Sequence, residues 1–128
     1  MALTTTDPVP TLPSKPPATP CEQVQAEIAK YSDWDANTVQ AVAQAENRGC
    51  DPKRHNLTAS ETHRRADGSV NCVGSYGVLQ VGCLHFHKGE DRDNLKTQIE
   101  VAHRVWQNRK DYSAWTMFNN GTYREFLK

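Results

Sequence analysis

Glu46 is the residue of this chain whose type and placement best suit chemistry. It ends an i, i+3, i+4, i+7 pattern whose other members are Val39, Val42 and Ala43. This spacing puts one carboxyl group on the apolar stripe of an amphipathic helix, and Gly49 predicts that the helix ends just beyond it. Burial and the negative end of the helix dipole both disfavour a carboxylate, so we expect Glu46 to stay protonated near neutral pH.

A protonated carboxyl group in a dry setting is what a general acid requires. The competing interpretation is a glutamate at a frayed helix end with its head in solvent, because long polar side chains often reach out of an apolar stripe. The spacing alone leaves both interpretations open.

Helical patterns account for most of the elements that must position Glu46. The first predicted helix covers residues 22–31, and the second covers 36–47 with Asp35 as its N-cap. A third begins at residues 91–94, and residues 115–127 are predicted as two short helices broken at Asn120-Gly121.

The stretch between the second and third helices has a different character. Residues 50–71 are polar and irregular, and Asp67-Gly68 is a tight-turn signal, so a short hairpin or a long loop is expected there. Residues 78–81 form an apolar patch that could be a short strand or one helical turn. We therefore predict a mainly α fold with a small loop or β lobe and a cleft between the lobes that holds Glu46.

The N-terminal part of the 128-residue chain is rich in proline. Six of the seven prolines lie between residues 8 and 20. Such a segment favours extended, polyproline-like structure, so we predict a poorly ordered tether at residues 1–20 and one folded domain at 21–128. A ligand for a proline-recognition module is the alternative.

The overall charge restricts the partners. The chain has 15 basic and 15 acidic residues, which argues against strong nucleic-acid binding. No apolar run approaches the length of a membrane span, and the first residues show no signal-peptide pattern. We expect a monomer.

The chain contains four cysteines, an even number that fits two disulfides and an exported protein. They are Cys21, Cys50, Cys72 and Cys83. Four reduced thiols are one alternative. A zinc site near Cys83, His85 and His87, with Cys72, His55 and His63 also at hand, is another, although the paired spacing typical of such sites is missing.

Three pairings of the cysteines are possible. If the first two helices form an antiparallel hairpin, Cys21 comes close to Cys50, and this favours Cys21–Cys50 together with Cys72–Cys83. Export would require that a longer precursor carried the signal that these 128 residues lack.

Several short motifs occur in a familiar order. Ala45-Glu46-Asn47 is followed by Gly74-Ser75 and by YGVLQV at residues 76–81, then by Gln98-Ile99, Trp115, Phe118-Asn119-Asn120-Gly121 and Tyr123. This ordered set, over about residues 21–127, resembles the lysozyme-like superfamily. The nearest branch is the group of soluble lytic transglycosylases and goose-type lysozymes.

The resemblance implies a lysozyme-like fold and cleavage of the β-1,4 bond between N-acetylmuramic acid and N-acetylglucosamine in peptidoglycan. Glu46 would protonate the leaving glycosidic oxygen, and no metal or other cofactor is implied. Five further residues would contact the substrate: Ser75, Tyr76, Gln80, Asn119 and Tyr123. Each also has a structural explanation, such as a cap, a turn or packing in the core.

A second carboxylate is missing from the positions where lysozymes carry one. Ser75 occupies the place used by animal-type enzymes, and Gly82 the place used by goose-type enzymes. Asp67 is the one loose substitute, and it would have to fold back over the cleft. A single acid favours a lytic transglycosylase, in which Glu46 would serve first as the acid and then as the base, while the 6-hydroxyl of the substrate attacks and a 1,6-anhydro sugar forms. Phe118, in the place of the family's tyrosine, weakens this interpretation.

Three alternatives remain open at this stage. The chain could be a hydrolysing muramidase, a non-catalytic peptidoglycan-binding module that kept the groove, or a disulfide-rich interaction domain unrelated to glycans.

Overall fold

The computed structural model describes residues 18–58 and 62–128. Its helices are α1 (Pro20–Ile28), α2 (Ala36–Glu46), α3 (Leu95–Arg109) and α4 (Thr116–Asn119), and 3₁₀ helices cover Cys83–His85 and Thr122–Phe126. The strands are β1 (His55–Asn56), β2 (Thr62–Arg64), β3 (Val70–Val73), β4 (Ser75–Tyr76) and β5 (Val81–Gly82). The predicted mixture of helices with a small β part is confirmed. The predicted tether, up to residue 17, lies outside the described residues.

α1 begins earlier than its apolar pattern predicted. Pro20 takes the first turn, where a proline costs no backbone hydrogen bond. Thr19 and Glu22 form a capping box, in which the Thr19 hydroxyl accepts from the Glu22 N–H and the Glu22 carboxylate accepts from the Thr19 N–H. The helix ends at Ile28 rather than at residue 31, with Val24 and Ile28 fully buried.

α2 follows its prediction closely. Asp35 caps it by accepting from the N–H groups of Asn37 and Thr38, and Glu46 is its last residue. The predicted disulfide between Cys21 and Cys50 is confirmed, and it joins the start of α1 to the chain just after α2. A covalent link at this place restrains the end of the helix that carries Glu46.

The β part consists of two small antiparallel sheets. β1, β4 and β5 form one sheet in the order β1-β4-β5, and β2 pairs with β3 in a separate hairpin. The tight turn predicted at Asp67-Gly68 is confirmed as the end of that hairpin, with Gly68 at φ +86°. Residues 77–80 form a turn and Val81 begins β5, so the apolar patch predicted at residues 78–81 is a turn that runs into a strand. The second predicted disulfide, Cys72–Cys83, is also confirmed.

α3 connects the helices to the sheet through one polar side chain. Gln98 is fully buried, and its amide accepts from the Val78 N–H at 3.1 Å and donates to the carbonyls of Pro52 and Arg92 at 2.6 Å each. The Cα of Gly77 lies so close that an added Cβ would come within 2.0 Å of Gln98 Oε1. This contact fixes the turn at residues 77–80 against α3. Within the described residues, no helix is long and apolar enough to cross a membrane.

The pair of Glu90 and Arg104 predicts a pH-dependent contribution to stability. The hydrogen bonds from the Arg104 guanidinium, aided by the His87 N–H, lower the pKa of Glu90 from 4.5 to about 2. A depressed carboxyl pKa stabilises the fold above pH 4.5, and that stabilisation is lost as the pH falls toward 2.

We expect Glu90→Gln to lower the free energy of unfolding by about 1 kcal/mol at neutral pH, since the pair is partly exposed. The difference should vanish near pH 2, where the native carboxyl group is protonated as well. Chemical denaturation across this pH range measures it, with Glu100→Gln on the exposed face of α3 as the control. A difference that does not change with pH would contradict the assignment.

Candidate active site

Glu46 lies half-buried at the C-terminal end of α2. Its Oε1 accepts a hydrogen bond from the backbone N–H of Met117, in α4, at 3.2 Å. An oxygen that accepts an N–H is a poor place for a proton, so in the acid form the proton belongs on Oε2. α4 therefore orients the carboxyl group, although it lies 71 residues away in the chain.

A pocket of about 230 Å³ opens beside this carboxyl group. We call it the Glu46 pocket, and it is lined by Glu46, Asn56, His63, Ser75, Gln80, Gly82, His85, Ala114, Trp115 and Thr116. The lining includes three of the residues predicted for the site, namely Glu46, Ser75 and Gln80. Among these lining residues, Glu46 is the single acid.

The two residues that the sequence resemblance placed at the second-carboxylate positions both line the pocket. Ser75 of β4 and Gly82 of β5 are directly opposite each other in the antiparallel ladder, so one short sheet brings them to the same wall. Ser75 is buried. This wall of the pocket therefore presents the hydroxyl group of Ser75 and the backbone of Gly82, and it presents no carboxylate.

Gln80 is held in the wall of the pocket by its own turn. Its backbone adopts a left-handed conformation with φ +46°, which is uncommon for a residue with a side chain. Its Nε2 donates to the carbonyl of Gly77 at 2.8 Å and to that of Arg54 at 3.4 Å. These contacts pre-orient the amide at the pocket, as a substrate-binding group requires.

Trp115 forms an apolar wall of the pocket and belongs to the core at the same time. It is 5% exposed, and its indole N–H donates to the carbonyl of Leu79 at 2.9 Å. That bond ties the turn at residues 77–80 to the segment that leads into α4. The turn is therefore anchored on two sides, by Trp115 and by Gln98.

Asn47 is a positioning residue that the sequence interpretation missed. It is 1% exposed, and its amide donates to the carbonyls of Asp51 at 2.7 Å and Gly77 at 3.3 Å. It thus joins the end of α2 directly to the turn that carries Gln80. The sequence signal that could have identified Asn47 is its position directly after Glu46, where the lysozyme-like superfamily often has serine.

Four predicted residues lie outside the Glu46 pocket. The Tyr76 ring is buried between His55 and Phe86, and its hydroxyl donates to the carbonyl of Val73. Tyr123 stacks on Phe118 with ring centroids 4.8 Å apart. Both aromatic residues pack against the core, which was the alternative to substrate contact in the sequence analysis.

Asn119 and Asp67 are engaged in local turns. The Asn119 amide donates to the carbonyl of Ser113 at 2.8 Å. Asp67 lies exposed at the hairpin tip, where the Ser69 hydroxyl and backbone N–H donate to its carboxylate and lower its pKa. Asp67 does not line the pocket, so the predicted loose substitute for a second carboxylate is not brought to Glu46.

Two histidines, His63 and His85, also line the pocket. The sequence suggested a role for them only as possible zinc ligands. His63 comes from β2, and His85 ends the 3₁₀ helix that follows β5. Burial is the largest cause of a lowered pKa at His85, and Coulomb interactions with Arg109, His63 and Arg104 lower it further. His85 is therefore a neutral imidazole at neutral pH, able both to donate and to accept a hydrogen bond.

The four cysteines form disulfides, which removes them as zinc ligands. Among the described residues, no group of three or more His, Cys, Asp or Glu side chains is arranged to hold a metal ion. Besides Trp115, the polar side chains that line the pocket are one carboxyl group, two imidazoles, two hydroxyls and two amides. Such a set suits proton transfer to and from a bound polar molecule.

In comparisons with known proteins, no family model matches this chain, and no curated protein matches it.

Proposed function

We propose that this protein cleaves the glycan strands of peptidoglycan at the β-1,4 bond between N-acetylmuramic acid and N-acetylglucosamine. Glu46 would act as the general acid that protonates the glycosidic oxygen. The observation that carries the proposal is the composition of the Glu46 pocket. Glu46, from one sequence motif, and Ser75 and Gln80, from a second motif, line one pocket.

The geometry of Glu46 supports its role as an acid. Its carboxyl group is the single acid of the pocket lining, it is half-buried, and it is held by the Met117 N–H. A fixed acid with its proton on Oε2 needs no reorganisation before it donates to a leaving oxygen. In this view the helices and the small sheets are the two lobes of a lysozyme-like fold, and the pocket is part of the cleft between them.

The lining favours a lytic transglycosylase over a hydrolysing muramidase. A two-carboxylate mechanism needs a second acid about 5–10 Å from the first. Ser75 and Gly82 hold the two positions where lysozymes carry it, and both line the pocket without a carboxylate. In a transglycosylase the 6-hydroxyl of the muramic acid residue attacks instead of water, so that the product has a 1,6-anhydro end.

The two disulfides suit a protein that works outside the cytoplasm, where peptidoglycan is found. A non-catalytic glycan-binding module would keep the pocket but would not need a fixed acid. Binding without cleavage is therefore the outcome that distinguishes this second candidate.

Digestion of purified sacculi followed by mass spectrometry tests the proposal. We expect soluble fragments with 1,6-anhydro ends to accumulate with the wild-type protein. Fragments with reducing ends would show a hydrolase instead. Intact strands together with retained sacculus binding would show a binding module, and intact strands without binding would refute any role on this polymer.

A further inference from the structure

His63 is the feature of the Glu46 pocket that the proposed acid chemistry leaves unexplained. Its Nε2 atom is buried, and among the described residues no hydrogen-bond partner lies within reach. A buried ring nitrogen without a partner destabilises the fold, since it has lost its hydrogen bond to water and forms none within the protein. Since His63 lines the pocket, a bound molecule is the partner that could satisfy this atom.

Three features of the β part place this imidazole. His63 is opposite Cys72 in the β2–β3 hairpin, and the register shifts just after it, which leaves Asn71 as an extra residue on β3. Such bulges redirect the neighbouring side chains. The Cys72–Cys83 disulfide then holds the hairpin against the end of β5.

Gly82 lies directly beside the His63 ring. A Cβ at this position would lie 3.5 Å from His63 Nε2 and 3.6 Å from His85 Cδ2, so both imidazoles lie beside the bare backbone of Gly82. This is the position where goose-type lysozymes can carry a carboxylate. The chain thus has an imidazole nitrogen next to the place where the resembling enzymes have their second acid.

We propose that His63 is a second catalytic group of the Glu46 pocket and acts as the base that accepts the proton of the attacking hydroxyl. This inference rests on the proposed glycan cleavage. Neutral imidazole is a proton acceptor near neutral pH, as this role requires. His63 Nε2 must then be the unprotonated nitrogen, with the ring proton on Nδ1.

The proton transfers balance. Glu46 Oε2 gives its proton to the bridging oxygen as the bond from that oxygen to C1 breaks. The 6-hydroxyl oxygen forms a new bond to C1, and its proton passes to His63 Nε2. After the products leave, the imidazolium returns its proton to solvent and the Glu46 carboxylate takes one up. Separate acid and base groups remove the need for Glu46 to perform both tasks in one turnover.

The test compares kcat and KM of His63→Gln and His63→Ala with the wild-type protein, using release of anhydro ends from sacculi. We expect kcat of His63→Gln to fall by about 100-fold or more, the usual contribution of a general base, with KM changed by less than about threefold. Added imidazole should restore turnover to His63→Ala, because the small molecule can occupy the vacated space and accept the proton. Exposed His87 provides the matched control, and His87→Gln should retain wild-type kcat and KM.

The outcomes separate this inference from the proposed function. If the wild-type protein cleaves sacculi and His63→Gln cleaves them equally fast, His63 is not the base and the proposed function stands. A loss of kcat that imidazole does not restore would assign His63 a positioning role and overturn the inference. A wild-type protein that releases no ends would overturn both. Sacculus binding by each variant shows whether it has folded.

Discussion

Glu46→Gln is expected to abolish glycan cleavage while the protein continues to bind sacculi. The amide has nearly the same shape as the carboxyl group and can still accept the Met117 N–H at Oε1. It has no acidic proton to give to the leaving oxygen. Loss of a general acid lowers the rate by about 10²–10⁴-fold, and by more where the same group serves further steps. Counting anhydro ends by mass spectrometry measures the loss.

The control for this variant is Glu100→Gln, which makes the same chemical change on an exposed face of α3. It should cleave at the wild-type rate. Thermal unfolding of both variants should match that of the wild-type protein, since neither change removes an apolar contact. If Glu46→Gln keeps more than about a tenth of the activity, the carboxyl group is not the acid and the proposed mechanism is wrong.

Gln98→Met is expected to have the largest effect on stability. Methionine is similar in length, but it cannot replace the hydrogen bonds to Val78, Pro52 and Arg92. Because Gln98 and Val78 are fully buried, the Val78 N–H would lose its partner without gaining water, and the two part-buried carbonyls would each lose a hydrogen bond. Unsatisfied buried polar groups cost about 1–3 kcal/mol each, so we expect a loss of roughly 3 kcal/mol or more in the free energy of unfolding.

Denaturant titration of Gln98→Met against Gln107→Met measures this loss. Gln107 lies on the exposed side of the same helix, and its replacement should change stability by less than about 0.5 kcal/mol. At temperatures where Gln98→Met is still folded, it should also be less active than the wild-type protein, because the turn that carries Gln80 loses its contact with α3. Equal stability of the two variants would show that the buried network does not hold the turn.

The local elements were largely predictable from short stretches of sequence. The apolar stripe and the Asp35 cap predicted α2 with Glu46 in its last turn, and Asp67-Gly68 predicted the tight turn that joins β2 to β3. The break at Asn120-Gly121 separates α4 from the last 3₁₀ helix, as expected. Each of these features depends on backbone hydrogen bonds and side-chain caps between residues a few positions apart, and such interactions leave a local pattern.

The start of α1 and the turn at residues 77–80 were harder to predict. α1 begins at Pro20 because Thr19 and Glu22 cap each other, and this signal lay in a segment that its proline content marked as a tether. The turn depends on Gln98 and Trp115, which are about 20 and 36 residues away from their partners Val78 and Leu79. No pattern within residues 77–80 records contacts of that kind.

The order of the amino acids alone predicts the helix that ends near Glu46 and places Glu46 on its apolar stripe. Helix periodicity and helix ends are properties of neighbouring residues. Which polar groups share its pocket depends on packing between distant segments. Ser75 and Gln80 reach the pocket, whereas Tyr76 and Asn119 do not, and His63 enters through a bulge and a disulfide that hold it beside Gly82. The close packing of the core settles these positions, and it acts between residues that are far apart in the chain.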